Sequence, residues 1–173
     1  TLLPPGTRFE RWSDPDRLAR QLGALGYPGF AYLGKRAKRC NPAEVLLGTL
    51  LQPNLEARLV EGSLWLLRRY PDMDPEWLIR TSCLHGIQNR LGFAASLARQ
   101  AAETANELSR HDLERLASLQ RALDERRLAR EDTFCHDAMT EAERKWVKAL
   151  RTPEAVHWNL LTDWRPEWQR SPR

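Results

Sequence analysis

The chain has 173 residues, 42% of them hydrophobic and 29% charged, and its formal net charge is +4. This composition excludes an intrinsically disordered chain and provides enough apolar material for a domain with its own core. It also excludes membrane-spanning helices, because no apolar run approaches the roughly 20 residues that such a helix needs. The first residues lack the pattern of a secretion signal, and the three cysteines are widely spaced. We therefore predict a cytoplasmic protein with no membrane partner.

Residues 1–40 form a basic N-terminal segment. Between residues 8 and 39 there are eight basic and three acidic side chains, a net charge of +5. Residues 1–12 contain two prolines and are typical of an extended segment or a turn, whereas the Asp14 region has the cap, proline and acid of a helix start. Residues 29–33 (GFAYL) indicate one short strand, and an exposed basic turn follows it: Lys35, Arg36, Lys38 and Arg39.

Residues 41–128 form the predicted helical core. Helix starts are indicated at Asn41, Asp74 and Ser109, where a capping side chain precedes proline or an acid. Apolar residues recur at offsets of three and four after each start, as amphipathic helices require. In the long helix after Ile87 this stripe narrows to alanine, which lets a neighbouring helix approach closely: Ala94, Ala98, Ala101 and Ala105.

Residues 129–173 complete the predicted domain with a loop, two short helices that start at Thr140 and Thr152, and a tail from Trp164. Seven or so helices with short connections predict an all-α fold, a compact multi-helix bundle. At most one short strand or hairpin is expected, near the N-terminus. The three segments are expected to form one domain.

The basic turn is the candidate nucleic-acid site, because four cations in five residues can neutralise phosphates of DNA or RNA: Lys35, Arg36, Lys38 and Arg39. Phe30 and Tyr32 stand just before it and add a stacking face if they are exposed. The alternative is a solvated loop whose charge serves solubility.

The C-terminal tail is the candidate partner site. Four tryptophans fall in the last 30 or so residues, and tryptophan and arginine are favoured anchors of protein interfaces. We therefore assign partner binding to Trp164, Arg165 and Trp168. The tail either folds back on the bundle or docks on another protein.

Arg80 and His85 are the candidate catalytic residues. Their spacing resembles the Arg-x4-6-His pattern of the HEPN ribonucleases, in which histidine acts on the RNA 2′-hydroxyl and arginine stabilises the developing charge. The same pattern occurs at two further places, Arg130 with His136 and Arg151 with His157. None of the three has the Asn, Asp or His directly after the arginine that the family would carry.

Other reactive groupings are interpreted as structural or incidental. Cys135, His136 and Asp137 are adjacent in sequence, so their side chains point apart rather than forming a nucleophile–base pair. Cys40, Cys83, Cys135 and His136 lack the close spacing of zinc ligands. Asp74 caps a helix, which explains the Asp72–Asp74 pair without a cation. We predict no metal site and no cofactor.

Residues 74–97 resemble the C-terminal helical domain of bacterial abortive-infection antitoxins of type IV systems. The resemblance rests on the DPEWLIR start and on the signature Arg90, Leu91, Gly92 and Phe93. Such proteins accompany nucleotidyltransferase toxins, so the resemblance implies toxin neutralisation or defence-linked regulation. The winged helix-turn-helix with which members usually begin has no counterpart in this sequence.

The predicted function is a non-enzymatic helical interaction module, antitoxin-like or defence-linked, that acts through protein–protein contact with a toxin or a larger complex. A basic nucleic-acid-binding subunit is the first alternative, and a metal-independent HEPN-like ribonuclease is the second.

Overall fold

The computed structural model describes residues 10–168, so the predicted extended segment before residue 10 and the end of the tail, residues 169–173, lie outside the described chain. Helices dominate that chain: α1 (Pro15–Ala24), α2 (Ala31–Gly34), α3 (Pro42–Leu50), α4 (Ala57–Arg69), α5 (Pro75–Leu84), α6 (Gln88–Ala105), α7 (Arg110–Asp124), α8 (Glu141–Leu150) and α9 (Pro153–His157). Three short 3-10 helices accompany them: Glu10–Ser13, Pro28–Phe30 and Pro166–Trp168. Strands β1 (Asp132–Thr133) and β2 (Leu160–Leu161) pair in parallel. The all-α prediction is confirmed.

The predicted helix starts are confirmed by the capping hydrogen bonds. The side chain of each predicted cap accepts a backbone N–H from the first turn of its helix: Asp14, Asn41, Asp74, Ser109, Thr140 and Thr152. At Thr140 the bond is reciprocal, because the backbone N–H of Thr140 donates to Oε2 of Glu143 over 2.6 Å. Each cap satisfies an otherwise orphaned N–H and stabilises its helix by about 1 kcal/mol.

The predicted strand at residues 29–33 is wrong. Pro28–Phe30 is a 3-10 helix and Ala31–Gly34 is α2. The backbones of α1 and α2 touch at two glycines, since a Cβ atom on Gly34 would lie 2.1 Å from the carbonyl carbon of Gly23. This close helix contact is a tertiary interaction, and it overrides the strand preference of the local sequence.

The long helix α6 lies at the centre of the bundle. It packs against α3, α4, α5, α7 and α9, and its residues are buried along most of its length. Within the predicted alanine stripe Ala94, Ala98 and Ala101 are buried, whereas Ala105 at the C-terminal end is exposed. No helix in residues 10–168 combines the length and apolarity that crossing a bilayer requires.

The first turns of α6 hold the C-terminal third of the chain in place. Asn89 Nδ2 donates to the carbonyl oxygens of Leu128 and Trp158, both over 2.9 Å, and Asn89 Oδ1 accepts from Leu128 N. Arg90 makes a bidentate pair with Asp132 over 2.8 Å, and its Nη1 donates to Leu50 O. These bonds fix the loop after α7 and strand β1 against α6.

Candidate functional site

A groove of about 460 Å³ opens between α4, the loop after β1, helix α8 and the C-terminal segment. Three of its lining residues are tryptophans: Trp146, Trp164 and Trp168. The remaining apolar lining comes from eight other positions, namely Leu55, Ala57, Val60, Phe134, Cys135, Met139, Val147 and Leu161. We call this feature the aromatic groove.

The tryptophans of the aromatic groove are positioned by short-range structure. Trp146 lies on α8 and is 57% exposed. Trp164 is half-buried against the core, and its backbone N–H donates to Thr162 Oγ1 over 3.2 Å. The 3-10 helix Pro166–Trp168 brings the ring of Trp168 to 5.8 Å from that of Trp164, in an edge-to-face contact, and leaves Trp168 46% exposed.

One wall of the aromatic groove is a loop that pairs with the segment before α4. Leu55 N donates to Cys135 O over 3.0 Å, and Asp137 N donates to Pro53 O over 2.9 Å. Residues Asn54 and His136 form an isolated antiparallel bridge between these bonds. The pairing explains how residues some 80 positions apart in sequence line one groove.

The charged residues that line the aromatic groove are acidic: Glu61, Glu143 and Asp163. Burial raises the pKa of Glu61 above the ordinary value of a glutamate, against the opposing effects of Tyr27, Arg58 and Arg68. The hydrogen bonds with Thr140 lower the pKa of Glu143. Neither lysine nor arginine is among the lining residues, so the carboxylates and His136 are the ionisable side chains besides Cys135 that the aromatic groove offers over its apolar surface.

The structure separates the three predicted partner residues. Trp164 and Trp168 line the aromatic groove, but Arg165 lines a different depression beside α6 and α9. Its Nη2 lies 3.4 Å from Leu150 O. Of the two alternatives for the tail, folding back applies up to residue 168, although Trp168 stays half-exposed.

The basic turn is exposed as predicted. Lys35, Arg36, Lys38 and Arg39 all lie at the surface. The two aromatic residues before the turn differ in exposure: Tyr32 is 68% exposed, whereas Phe30 is buried against Tyr27. Only Tyr32 of this pair is therefore free to stack on a ligand.

The structure does not bring Arg80 and His85 into one site. Both are exposed, and five residues of helical register separate them by about 140° around the axis. His85 lines a depression with Arg90, Arg130 and Asp132, and Arg80 is not among the residues that line it. The arginines of the other two matches hold backbone carbonyls instead: Arg130 binds Gly86 O, and Arg151 binds Leu160 O.

Cys135 is a buried structural residue. Its backbone adopts φ +54°, its thiol donates to Thr49 O over 3.5 Å, and burial raises its pKa to about 12. A thiol of that pKa is protonated at neutral pH and is not an activated nucleophile. Across residues 10–168, no group of three or more His, Cys, Asp or Glu side chains is placed to hold a metal ion.

Sequence reasoning missed the aromatic groove as a feature. It identified Trp164 and Trp168 from their composition, but it assigned no role to Glu61 or Phe134, which come from distant parts of the chain. The available signal was the exposed Trp146 beside Val147 on an amphipathic helix. Nothing local indicates which loops that helix will face.

No family model matches the chain, and neither a curated protein nor a solved structure shows significant similarity to it. The antitoxin resemblance therefore stays a prediction. The residues that carry it, Arg90 to Phe93, are all buried, and Phe93 packs edge-to-face on Phe134 at 5.1 Å. They hold the interior together rather than present a surface to a partner.

Proposed function

We propose that this protein is a non-enzymatic interaction module that binds a partner protein through the aromatic groove. The observation that carries the proposal is the gathering of Trp146, Trp164 and Trp168 around one apolar surface with an acidic lining. Exposed aromatic patches of this kind are uncommon on proteins without partners, and buried tryptophans dominate the energetics of interfaces.

The lining specifies the chemistry of the partner. An acidic, apolar surface favours a segment in which hydrophobic anchors are flanked by lysine or arginine, because such a segment fills the groove and complements its charge. A volume of about 460 Å³ accommodates a few side chains, as one face of a helix or a short extended peptide provides. The partner is therefore recognised through a basic, amphipathic segment.

The antitoxin resemblance gives this proposal a biological setting. In an antitoxin-like protein the partner is a toxin or a larger complex, and the basic segment belongs to it. An antitoxin that neutralises its toxin by binding needs a stable surface and no catalytic site. A groove built on a helical scaffold is consistent with that requirement. The proposal of groove binding does not depend on this setting.

Selection from a random peptide library displayed on phage tests the proposal. The wild-type protein is expected to enrich sequences that combine an aromatic or aliphatic anchor with lysine or arginine. The double variant Trp146→Ser/Trp168→Ser is expected to enrich none of them. Leu84→Ser is the matched control, because Leu84 is 79% exposed and does not line the aromatic groove.

Two results of the peptide selection would overturn the proposal. One is enrichment of acidic peptides, which contradicts the charge argument. The other is equal enrichment on the wild-type protein and on the double variant, which places binding elsewhere. A synthetic peptide of residues 1–9 of this chain is included as a competitor. If it alone binds, the groove is an intramolecular site rather than a partner site.

A pull-down from the host, with and without nuclease, then identifies the partner. A partner that survives nuclease and is lost with Trp146→Ser/Trp168→Ser supports protein-mediated binding through the aromatic groove. A partner that is retained by the double variant contradicts it.

A further inference from the structure

Helix α1 and the basic turn form one continuous surface. Gln21 of α1 clamps the turn, because its Nε2 donates to Lys38 O over 2.8 Å and its Oε1 accepts from Cys40 N over 2.9 Å. The contact between Gly23 and Gly34 holds the other end of the turn against α1. Residues 35–40 therefore run back along α1.

This arrangement adds two arginines to the four cations of the turn. Arg17 and Arg20 are both exposed on α1. Arg17 lies about one helical turn before Gln21, and Arg20 directly precedes it in sequence. Arg17 is oriented by Trp12, whose ring centroid lies 5.5 Å from its guanidinium carbon. We call the six cations the basic surface: Arg17, Arg20, Lys35, Arg36, Lys38 and Arg39.

The cations of the basic surface are not neutralised within the described chain. The ion pairs recorded in residues 10–168 involve none of the six. The nearest acids in sequence lie in the first turn of α1, where Asp14 caps the helix and bonds to Asp16 N. Six exposed cations outnumber the two exposed carboxylates of Asp14 and Asp16, so this surface carries a net positive charge that attracts a polyanion.

Tyr32 gives the basic surface an aromatic face. It lies on α2, three residues before Lys35, and its side chain is 68% exposed. A single exposed ring beside a track of cations is the arrangement by which proteins bind unpaired bases and their backbone. Duplex DNA would not use the ring, because its bases are already stacked on each other.

We propose that the basic surface binds single-stranded nucleic acid, with phosphates on the six cations and one base stacked on Tyr32. The aromatic groove has no part in this binding. A bilayer of anionic lipid is the less favoured ligand, because Tyr32 and Leu33 are the two exposed large hydrophobic residues in this part of the described chain, too few for stable insertion.

Fluorescence anisotropy with a labelled single-stranded oligonucleotide of about 20 nucleotides tests the charge contribution. Affinity is expected to fall as salt rises, with a log–log slope of roughly 0.7 for each phosphate contact. Lys38→Gln/Arg39→Gln removes two contacts and is expected to lower that slope by about 1.4. Arg80→Gln/Arg110→Gln is the control, since it removes the same charge from two exposed sites elsewhere.

Substitution at Tyr32 tests the stacking contribution. Tyr32→Ala is expected to weaken binding by roughly tenfold, whereas Tyr32→Phe keeps the ring and is expected to bind within about twofold of the wild-type protein. Both variants leave the net charge unchanged, so the salt slope should not move. Circular dichroism of each variant confirms that its helices are intact.

Three outcomes would overturn the proposal. The first is no binding at about 50 mM salt, where electrostatic binding is strong. The second is an equal loss of affinity in the control double variant, which would show a response to net charge alone. The third is co-sedimentation with phosphatidylserine–phosphatidylcholine vesicles without oligonucleotide binding, which would assign the basic surface to membranes. None of these depends on the aromatic groove.

Discussion

Trp158 packs directly against Gly92 of the central helix, so closely that a Cβ atom on residue 92 would lie 2.3 Å from Cη2 and Cζ3 of the indole. The ring is fully buried, and its Nε1 donates to Glu154 Oε1 over 3.1 Å. Asn89 holds the carbonyl oxygen of Trp158 from the same helix. Gly92 therefore sets the distance between α6 and the segment that leads to β2.

Gly92→Ala is expected to destabilise the protein by about 1–3 kcal/mol, because the added methyl overpacks the site. The loss occurs although alanine favours a helix over glycine by about 1 kcal/mol. Urea denaturation measures it. Gly62→Ala is the matched control, because its closest contact at 2.8 Å is the flexible end of Leu22. Equal losses in the two variants would contradict the assignment of a special role to Gly92.

The helices could be predicted from sequence because their determinants are local. Each predicted cap lies within a few residues of the N–H that it binds, as Asp74 does with Trp77 N over 3.1 Å. The error at residues 29–33 has a non-local cause, since the contact between Gly23 and Gly34 decides the conformation there. The pairing of β1 with β2 likewise joins residues almost 30 positions apart.

Because of the bidentate pair of Arg90 and Asp132, the protein is expected to lose stability when the pH is lowered into the acid range. Burial acts to raise the pKa of Asp132, but its hydrogen bonds and ion pair with Arg90 bring that pKa below the ordinary value of an aspartate. A depressed pKa contributes stability that is present above about pH 4 and is lost as the pH falls through the folded-state pKa. Asp132→Asn is expected to lose less stability than the wild-type protein between pH 7 and pH 3.

Removing the carboxylate altogether tests the same pair at neutral pH. Asp132→Ala removes the carboxylate that pairs with Arg90. Because the side chain of Arg90 is only 10% exposed, its charge would stay largely buried, and the free energy of unfolding is expected to fall by about 3 kcal/mol. Glu131→Ala is the control, because Glu131 pairs with Lys148 in an exposed salt bridge worth under about 1 kcal/mol. Denaturation in urea measures the free energy of unfolding of both variants. Similar losses in Asp132→Ala and Glu131→Ala would contradict a buried ion pair between Arg90 and Asp132.

The cysteines are expected to differ in their reaction with a thiol reagent. Cys40 and Cys83 are half-buried and should be modified in the native protein. Cys135 should stay unmodified until the protein unfolds, because it is buried and its pKa is raised to about 12. Mass spectrometry of peptides after labelling with and without denaturant reports each site. Native modification of Cys135 at the rate of the other two would show that the loop after β1 opens.

The site was harder to predict than the fold. Composition alone indicated Trp164 and Trp168, since clustered tryptophans are unusual in a tail. It could not separate Arg165 from them, although consecutive side chains point in different directions. The acidic lining was invisible in the sequence, because Glu61 and Asp163 become neighbours of one groove only when α4 and the C-terminal segment meet.

The exposed tryptophans should matter less for stability than the buried Trp158. Trp146 and Trp168 are each about half exposed, and Trp168 also contacts the ring of Trp164, so Trp146→Ser and Trp168→Ser are each expected to cost about 1 kcal/mol. Trp158→Ser, in contrast, removes a fully buried ring and is expected to cost at least about 3 kcal/mol. Thermal denaturation of the three variants compares them. A large loss in either exposed variant would mean that its ring supports the fold rather than serving a partner.

The carboxylate of Glu61 in the aromatic groove is expected to cost stability at neutral pH. Its pKa is raised, chiefly by burial, so its charge opposes folding at neutral pH, and this cost disappears below the ordinary pKa of a glutamate, about 4.3. Glu61→Gln is therefore expected to raise Tm at pH 7 and to leave it unchanged near pH 4.

Glu143 is the opposite case on the same groove. Its pKa is lowered by its hydrogen bonds with Thr140, so its contribution to stability is present at pH 7 and is lost as the pH falls through that lowered value. Glu143→Gln should lower Tm at pH 7. If both variants change Tm in the same direction, the prediction that Glu61 destabilises and Glu143 stabilises the protein at pH 7 is wrong. If they differ as expected, Glu61 costs stability at neutral pH, and binding of a basic segment supplies a reason for its presence.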